Sequence, residues 1–156
     1  MSANRVDFPA RFATGALYVG SCPPPWVTDV DVVVLCAREL ERKITDAYFV
    51  NRPVVLRARL DDSGAPMKAL EKVEALAAGR RVADYLRKGA RVLVTCNLGR
   101  NRSGLVAALA LVQLGMAPMA AIDLVRRARA PRGALSNKDF IEFLFHPARV
   151  PAEVRA

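Results

Sequence analysis

Two runs of the chain, Val30 to Cys36 (VDVVVLC) and Arg91 to Thr95 (RVLVT), are β-branched and almost wholly apolar. A strand without a polar face must be covered on both sides, which is the environment of a parallel strand in an α/β sheet. Shorter strand signals lie at Leu17-Tyr18-Val19 and at Val54 to Leu60 (VVLRARL), the second partly alternating. Helical patterns fall between them. Ala37 to Ala47 reads as a short helix. From Met67 to Lys88 apolar residues recur at Leu70, Val73, Leu76, Ala83 and Leu86, with Pro66 suited to the first helical position and Gly89 to the close. Gly79 inside that helix allows a bend or break. Further helices are expected over Ser103 to Leu114 and Pro118 to Arg129. Ser136 opens the last one, with Asp139 placed as in a capping box and Phe140, Ile141, Phe143 and Leu144 on its apolar face. Alternating strands and helices predict a single α/β domain over residues 1–156, with a mostly parallel sheet and helices on both faces.

The size suits that architecture. The chain has 156 residues, 53% of them hydrophobic, enough for one domain with a sizeable core. Gly104 to Ile122 (GLVAALALVQLGMAPMAAI) approaches the length of a membrane span, but Gly115 and Pro118 divide it. Two helices of a packed core, the first almost wholly buried, are expected instead, and no transmembrane segment. Cys22, Cys36 and Cys96 lack the paired spacing of a zinc site. The first residues, MSANRVDFPARF, have no apolar signal-peptide core, so a cytoplasmic location with reduced thiols is expected. His146, the only histidine, reads as a surface residue. The formal charge is 24 − 15 = +9. Such a balance suits nucleic acid, an anionic membrane surface or a phosphorylated substrate, or is simply a solvated basic surface. The few aromatics are not interleaved with basic residues, so nucleic acid is not expected.

In open parallel sheets the site lies beyond the carboxyl ends of the strands, here near Cys36, Asp61-Asp62 and Cys96. One of these stretches has a definite chemistry. Cys96-Asn97-Leu98-Gly99-Arg100-Asn101-Arg102 joins a buried strand directly to an apolar helix. A glycine-containing turn at a helix N-terminus points backbone N–H groups inward and binds a phosphate dianion through Asn97 to Arg102. The same field favours the thiolate of Cys96, and the planar fork of Arg102 suits two phosphate oxygens. Ser103 can donate to the departing thiolate. A carboxylic acid at a neighbouring strand end, Asp62 with Asp61 as its rival, can protonate the leaving oxygen and later activate water. The chemistry calls for no metal and no cofactor. The plainer alternatives are a buried structural thiol at Cys96, a basic helix-start residue at Arg102 and a solvated turn at Asp61-Asp62.

At these residues the sequence resembles the cysteine-dependent protein tyrosine phosphatases, in particular the small dual-specificity branch. The matched signature is Cys-x5-Arg-Ser, CNLGRNRS, preceded by RVLV. The resemblance extends to LYVGS, DVVVLCARE, RARLDDSG and AIDLVRRARAPRGALSNKDFIEFL. It implies that fold and a metal-independent phosphomonoester hydrolase working through a phosphocysteine. Cys96 would be the nucleophile, Arg102 the phosphate clamp, Ser103 the thiolate partner and Asp62 the general acid. Thr95 stands where the family usually has a histidine that supports the loop. The implied substrate is a phosphorylated protein. A phosphoinositide or small phosphate ester is the alternative, with Arg100 meeting a second phosphate, and a catalytically weak phosphate-binding module is a third reading. VDVVVLC and RVLVTC both end in cysteine, so parallel strands would bring Cys36 near Cys96 as a redox partner. Lipid-active family members carry a cysteine of that role in a similar Leu-Cys-Ala context. An inert buried residue is the other reading of Cys36. Neither the physiological substrate nor the oligomeric state follows from the sequence.

Overall fold

The computed structural model describes residues 3–147. Five strands, β1 (Ala3–Val6), β2 (Ala16–Gly20), β3 (Val32–Ala37), β4 (Val54–Leu60) and β5 (Arg91–Thr95), form one sheet in the order β1-β2-β5-β3-β4. The β2–β5, β5–β3 and β3–β4 pairs are parallel, and only the edge strand β1 runs antiparallel. Four helices complete the domain: α1 (Ala69–Arg87), α2 (Arg102–Gln113), α3 (Pro118–Arg129) and α4 (Lys138–Phe145). This is the expected mostly parallel α/β domain. All six residues of β3 are buried, as are four of the five in β5. The two most apolar runs of the sequence therefore lie inside the sheet and are covered on both faces.

Two local expectations are corrected, and one strand has no counterpart in the sequence reading. Ala37 to Ala47 is not a helix. It holds a 3-10 turn at Arg38–Leu40, and a second turn follows at Asp46–Tyr48. The segment buries Leu40 and Ile44, but Arg57 of β4 donates to the Ile44 carbonyl at 2.6 Å and Thr45 is extended. Tertiary hydrogen bonding thus diverts a carbonyl that a continuing helix would use. The capping box at Ser136 does not form. Asn137 caps α4, its side chain accepting from the N–H groups of Asp139 and Phe140. The Asp139 carboxylate instead accepts from the Met67 N–H at 2.6 Å, tying α4 to the approach to α1. Finally, β1 was not anticipated, because its four residues hold a single fully buried side chain, Val6, and show no apolar period.

The apolar stretch from Gly104 divides as its glycine and proline imply: α2 is buried from Arg102 through Leu111, and α3 starts at Pro118. No helix among the described residues is long and apolar enough to cross a membrane. Gly79 neither bends nor breaks α1. It lets α2 approach, since a Cβ there would stand 2.8 Å from the Leu109 Cβ. Helix propensity favours Ala over Gly by about 1 kcal/mol, but the Leu109 Cβ is the root of a side chain in a packed core and cannot swing away. Gly79→Ala is expected to lower stability by about 1 to 3 kcal/mol, the usual cost of overpacking, and urea denaturation measures it.

Candidate active site

The parallel strands β2, β3, β4 and β5 end at one edge of the sheet, at Gly20, Ala37, Leu60 and Thr95. The chain leaves β5 there at Cys96, which is 2% exposed, and enters α2 at Arg102. Gly99 lies at φ +68°, and a Cβ on it would stand 2.5 Å from the Gly20 carbonyl carbon and 2.7 Å from the Ser21 nitrogen. Only glycine lets the loop lie this close to the end of β2. The Cys96 N–H donates to the Gly20 carbonyl at 3.3 Å. Among the described residues, the backbone N–H groups from Asn97 to Arg102 have no protein acceptor. They gather at the positive end of α2, a setting suited to a tetrahedral oxyanion.

Within that loop the structure places Cys96 Sγ 3.2 Å from Ser103 Oγ, both buried. A serine hydroxyl so placed can donate to a thiolate. Arg102 is 8% exposed and its guanidinium turns to Glu39, with Nη1 2.5 Å from Oε2 and Nη2 2.7 Å from Oε1. Nη1 also lies 3.4 Å from the Leu60 carbonyl. Its Nε is buried without a partner among the described residues. One edge of the fork is thus fixed by a bidentate carboxylate and a donor remains for another ligand. Burial works against the charge on Arg102. The Glu39 hydrogen bond and the charges of Cys96, Glu39 and Asp62 outweigh it and raise its pKa. The Arg102 hydrogen bond holds the Glu39 carboxyl below its usual range.

The Asp62 carboxylate reaches the same loop. Its Oδ2 accepts from Asn101 Nδ2 and its Oδ1 from Asn137 Nδ2, each at 2.9 Å. Asn101 Oδ1 in turn accepts from the N–H of Ser136 at 2.8 Å. Asp61 is placed differently, its backbone N–H donating to the buried Glu71 at 3.0 Å. Asn97, Leu98 and Arg100 are exposed at the loop's outer side. The Thr95 hydroxyl donates to the Val34 carbonyl at 2.9 Å, bracing β5 against β3 rather than the loop. Cys36 is buried one residue past the Leu35–Thr95 pair at which the β3–β5 ladder ends, where the β3–β4 register shifts. Burial and the neighbouring Cys96 push the Cys36 thiol well up, against the opposing charge of Arg102. His146 is exposed, and no cluster of metal-ligating side chains occurs among the described residues.

Two residues at this edge escape a sequence reading. Glu39 follows a buried strand inside DVVVLCARE, where an Arg-Glu pair directly after six apolar residues was the available signal. Arg129 is 1% exposed. It donates from Nη1 to Asn4 Oδ1 at 2.7 Å and to the Val19 carbonyl at 3.4 Å, and from Nη2 to the Leu98 carbonyl at 3.3 Å. It continues the stripe of Ile122 and Val125 at helical spacing, so its place on the buried face of α3 could have been read.

A lowered carboxyl stabilises the fold above its unfolded-state pKa, and that contribution is lost as pH falls through the folded-state value. Glu39 is such a group. The stability difference between wild type and Glu39→Gln is therefore expected to be largest near neutral pH and to shrink on acidification through and below the ordinary glutamate range. Urea denaturation across that range measures it, and a gap that stays constant would contradict the pairing.

No family model matches the sequence, and no curated protein matches it. Solved structures do match over nearly the whole chain. Tk-PTP in its active form is 24% identical over 99% of this chain and 96% of its own, with a TM-score of 0.66. The kinase associated phosphatase, with its catalytic-site cysteine replaced by serine, is 20% identical over 100% and 97%, with a TM-score of 0.71. PTPMT1 is 20% identical over 94% and 96%, with a TM-score of 0.67. The sheet order, the edge at which the loops meet and these likenesses agree: the chain has the fold of the cysteine-based protein tyrosine phosphatases, in its dual-specificity-like form.

Proposed function

We propose that the protein is a metal-independent phosphomonoester hydrolase that works through a phosphocysteine and acts on phosphorylated proteins. The observation that carries this reading is the buried Cys96 thiol, 3.2 Å from a serine hydroxyl, under a glycine-tightened loop that closes on Arg102. In the proposed reaction the phosphate sits in the loop, its oxygens on the backbone N–H groups of residues 97–102 and on the guanidinium of Arg102. The Cys96 thiolate attacks phosphorus, the P–O bond to the leaving group breaks, and protonated Asp62 gives its proton to the departing oxygen. Asp62, now ionised, takes a proton from water. That water attacks the phosphocysteine, releases inorganic phosphate and returns the thiolate, which Ser103 stabilises. Asn101 and Asn137 hold the Asp62 carboxylate beside the loop for both steps.

Arg100 supports a second reading. It is exposed in the loop, and its charge, after burial and the charge of Arg132, helps to lower the Arg129 pKa. A basic cluster beside the loop suits a substrate with more than one phosphate. PTPMT1, of like fold, has been captured in complex with PI(5)P. Comparing turnover of phosphopeptides with that of inositol phospholipids in micelles separates the two substrates.

Cys36 is proposed as a redox guard. Adjacent parallel strands lie about 4.8 Å apart, inside the Cα range a disulfide accepts. Hydrogen peroxide oxidises the Cys96 thiolate to the sulfenic acid and is reduced to hydroxide. The Cys36 thiol then attacks that sulfur and expels water, leaving a disulfide that a dithiol reduces.

Hydrolysis of an aryl phosphate in the presence of a chelator tests the main reading. Wild type is expected to turn over, and Cys96→Ser and Arg102→Ala to lose at least about a hundredfold, the scale of a lost transition-state donor. Turnover that survives Cys96→Ser would overturn it. Asp62→Asn is expected to slow esters with basic leaving groups far more than those with acidic ones. If Asp61→Asn shows that pattern instead, the acid lies one residue earlier. After mild peroxide, peptide mapping without reductant is expected to show a Cys36–Cys96 pair, and reversible protection that persists in Cys36→Ala would exclude it.

A further inference from the structure

We infer that two paired connections, residues 23–27 and 48–52, form a docking surface for an anionic lipid bilayer, with Trp26 and Val50 entering the headgroup boundary and nearby cations meeting the lipid charge. The inference is independent of the chemistry proposed for Cys96.

Strands β2, β3 and β4 run parallel, so the chain between them must return from the carboxyl edge of the sheet to the opposite one. The two returning connections are fastened to each other. The Tyr48 hydroxyl donates to the Pro23 carbonyl at 2.9 Å, the Val50 N–H to the Pro25 carbonyl at 2.8 Å and the Asn51 side-chain amide to the Val27 carbonyl at 3.0 Å. Val27 and Phe49 are buried in the core, whereas their neighbours Trp26 and Val50 are 69% and 71% exposed. Val27 and Phe49 already anchor the connections, so the fold does not require an indole and an isopropyl group in water. Pro23, Pro24 and Pro25 stiffen the approach to Trp26, so little backbone freedom is lost when it inserts.

A tryptophan and a valine offer too little apolar area for a stable protein interface, which takes about 800 Å² from each partner. An aromatic tip accompanied by cations is instead the composition of an interfacial membrane anchor. The charge on these connections has the matching sign. Residues 21–57 hold five carboxylates, and each is paired: Asp29 and Asp31 with Arg91, Glu39 with Arg102, Glu41 with Arg59 and Asp46 with Arg57. Arg38, Arg42, Lys43 and Arg52 are exposed and form no salt bridge among the described residues. Arg52 lies two residues beyond Val50. Asp46 lines the same shallow groove as Arg52 and is held by Arg57 at 3.3 Å. The connections that carry the apolar tip therefore also carry a surplus of positive charge, which an anionic leaflet attracts.

Trp26 is the only tryptophan of the chain, so the intrinsic emission of the full chain reads this surface alone. Emission is recorded with vesicles of phosphatidylcholine alone and with phosphatidylserine added, and sedimentation of the same vesicles measures binding. A blue shift is expected with the anionic vesicles, absent from the neutral ones and reversed by salt. Val50→Asp is expected to abolish it, and Arg52→Gln to weaken vesicle binding about fivefold, the worth of one charge near an anionic surface. Circular dichroism establishes that each variant is folded. A folded Val50→Asp with the wild-type shift would overturn the inference, and Arg52→Gln with wild-type binding decides against it if Val50→Asp does not fold. No shift with anionic vesicles, or an equal shift with neutral ones, would overturn it too. So would sedimentation with unchanged emission, which puts another face on the lipid. A shift that grows with protein concentration in the absence of vesicles points to a second copy of the chain, and an equal shift with polyglutamate points to an acidic peptide. Either result overturns the bilayer. Aryl phosphate turnover enters none of these readings, so the failure of one proposal leaves the other standing.

Discussion

The middle strand β5 is buried over four of its five residues and runs directly into the buried Cys96. Its neighbours β2 and β3 run parallel to it, so three carboxyl ends arrive at the same edge. Everything at the site is set from that edge. Cys96 continues β5, Cys36 lies near the end of β3, Glu39 follows β3, and Gly20 closes β2 against Gly99. A one-residue slip in the β3–β5 register would turn the side chains to the other face and break the Thr95 hydrogen bond to Val34 along with it.

Charge is arranged around this edge in pairs that hold each other in place. Arg102 stands at the start of α2, where the helix dipole disfavours a cation, and the bidentate Glu39 carboxylate offsets that cost. Its Nε is left without a partner among the described residues. Asp62 is carried on an exposed turn yet fastened by Asn101 and Asn137. Those two amides connect the turn to the loop and to the cap of α4, so one small network sets the distance between the proposed acid and the phosphate site. Preorganised donors of this kind lower a barrier because they need no rearrangement when charge develops.

The parts that could be read from the sequence are those specified by local pattern. The apolar runs located β3 and β5, the helical period located α1 and α3, and Cys96, Gly99 and Arg102 stood out because strand, loop and helix meet there. The parts that could not be read depend on partners far along the chain. Glu39 meets Arg102 across 63 residues and Arg129 meets Asn4 across 125. No local period announces such pairs, although the place of Arg129 on an apolar stripe was visible. Ala37 to Ala47 misled because its buried residues Ala37, Leu40 and Ile44 have helical spacing, whereas Arg57 of β4 claims the Ile44 carbonyl. Ser136 and Asp139 matched a capping pattern, but Asn137 takes the cap and Asp139 serves Met67.

The central claim is that a covalent bond forms between the Cys96 sulfur and the substrate phosphorus. The most direct measurement is rapid acid quenching of Asp62→Asn with an aryl phosphate of acidic leaving group, followed by peptide mass spectrometry. In that variant the thiolate still attacks, while the water step lacks its base and the intermediate accumulates. The account predicts one phosphoryl group on the peptide that contains Cys96, released by a thiol-specific cleavage. A phosphoryl group on another residue, or turnover with no labelled peptide at any quench time, would contradict it.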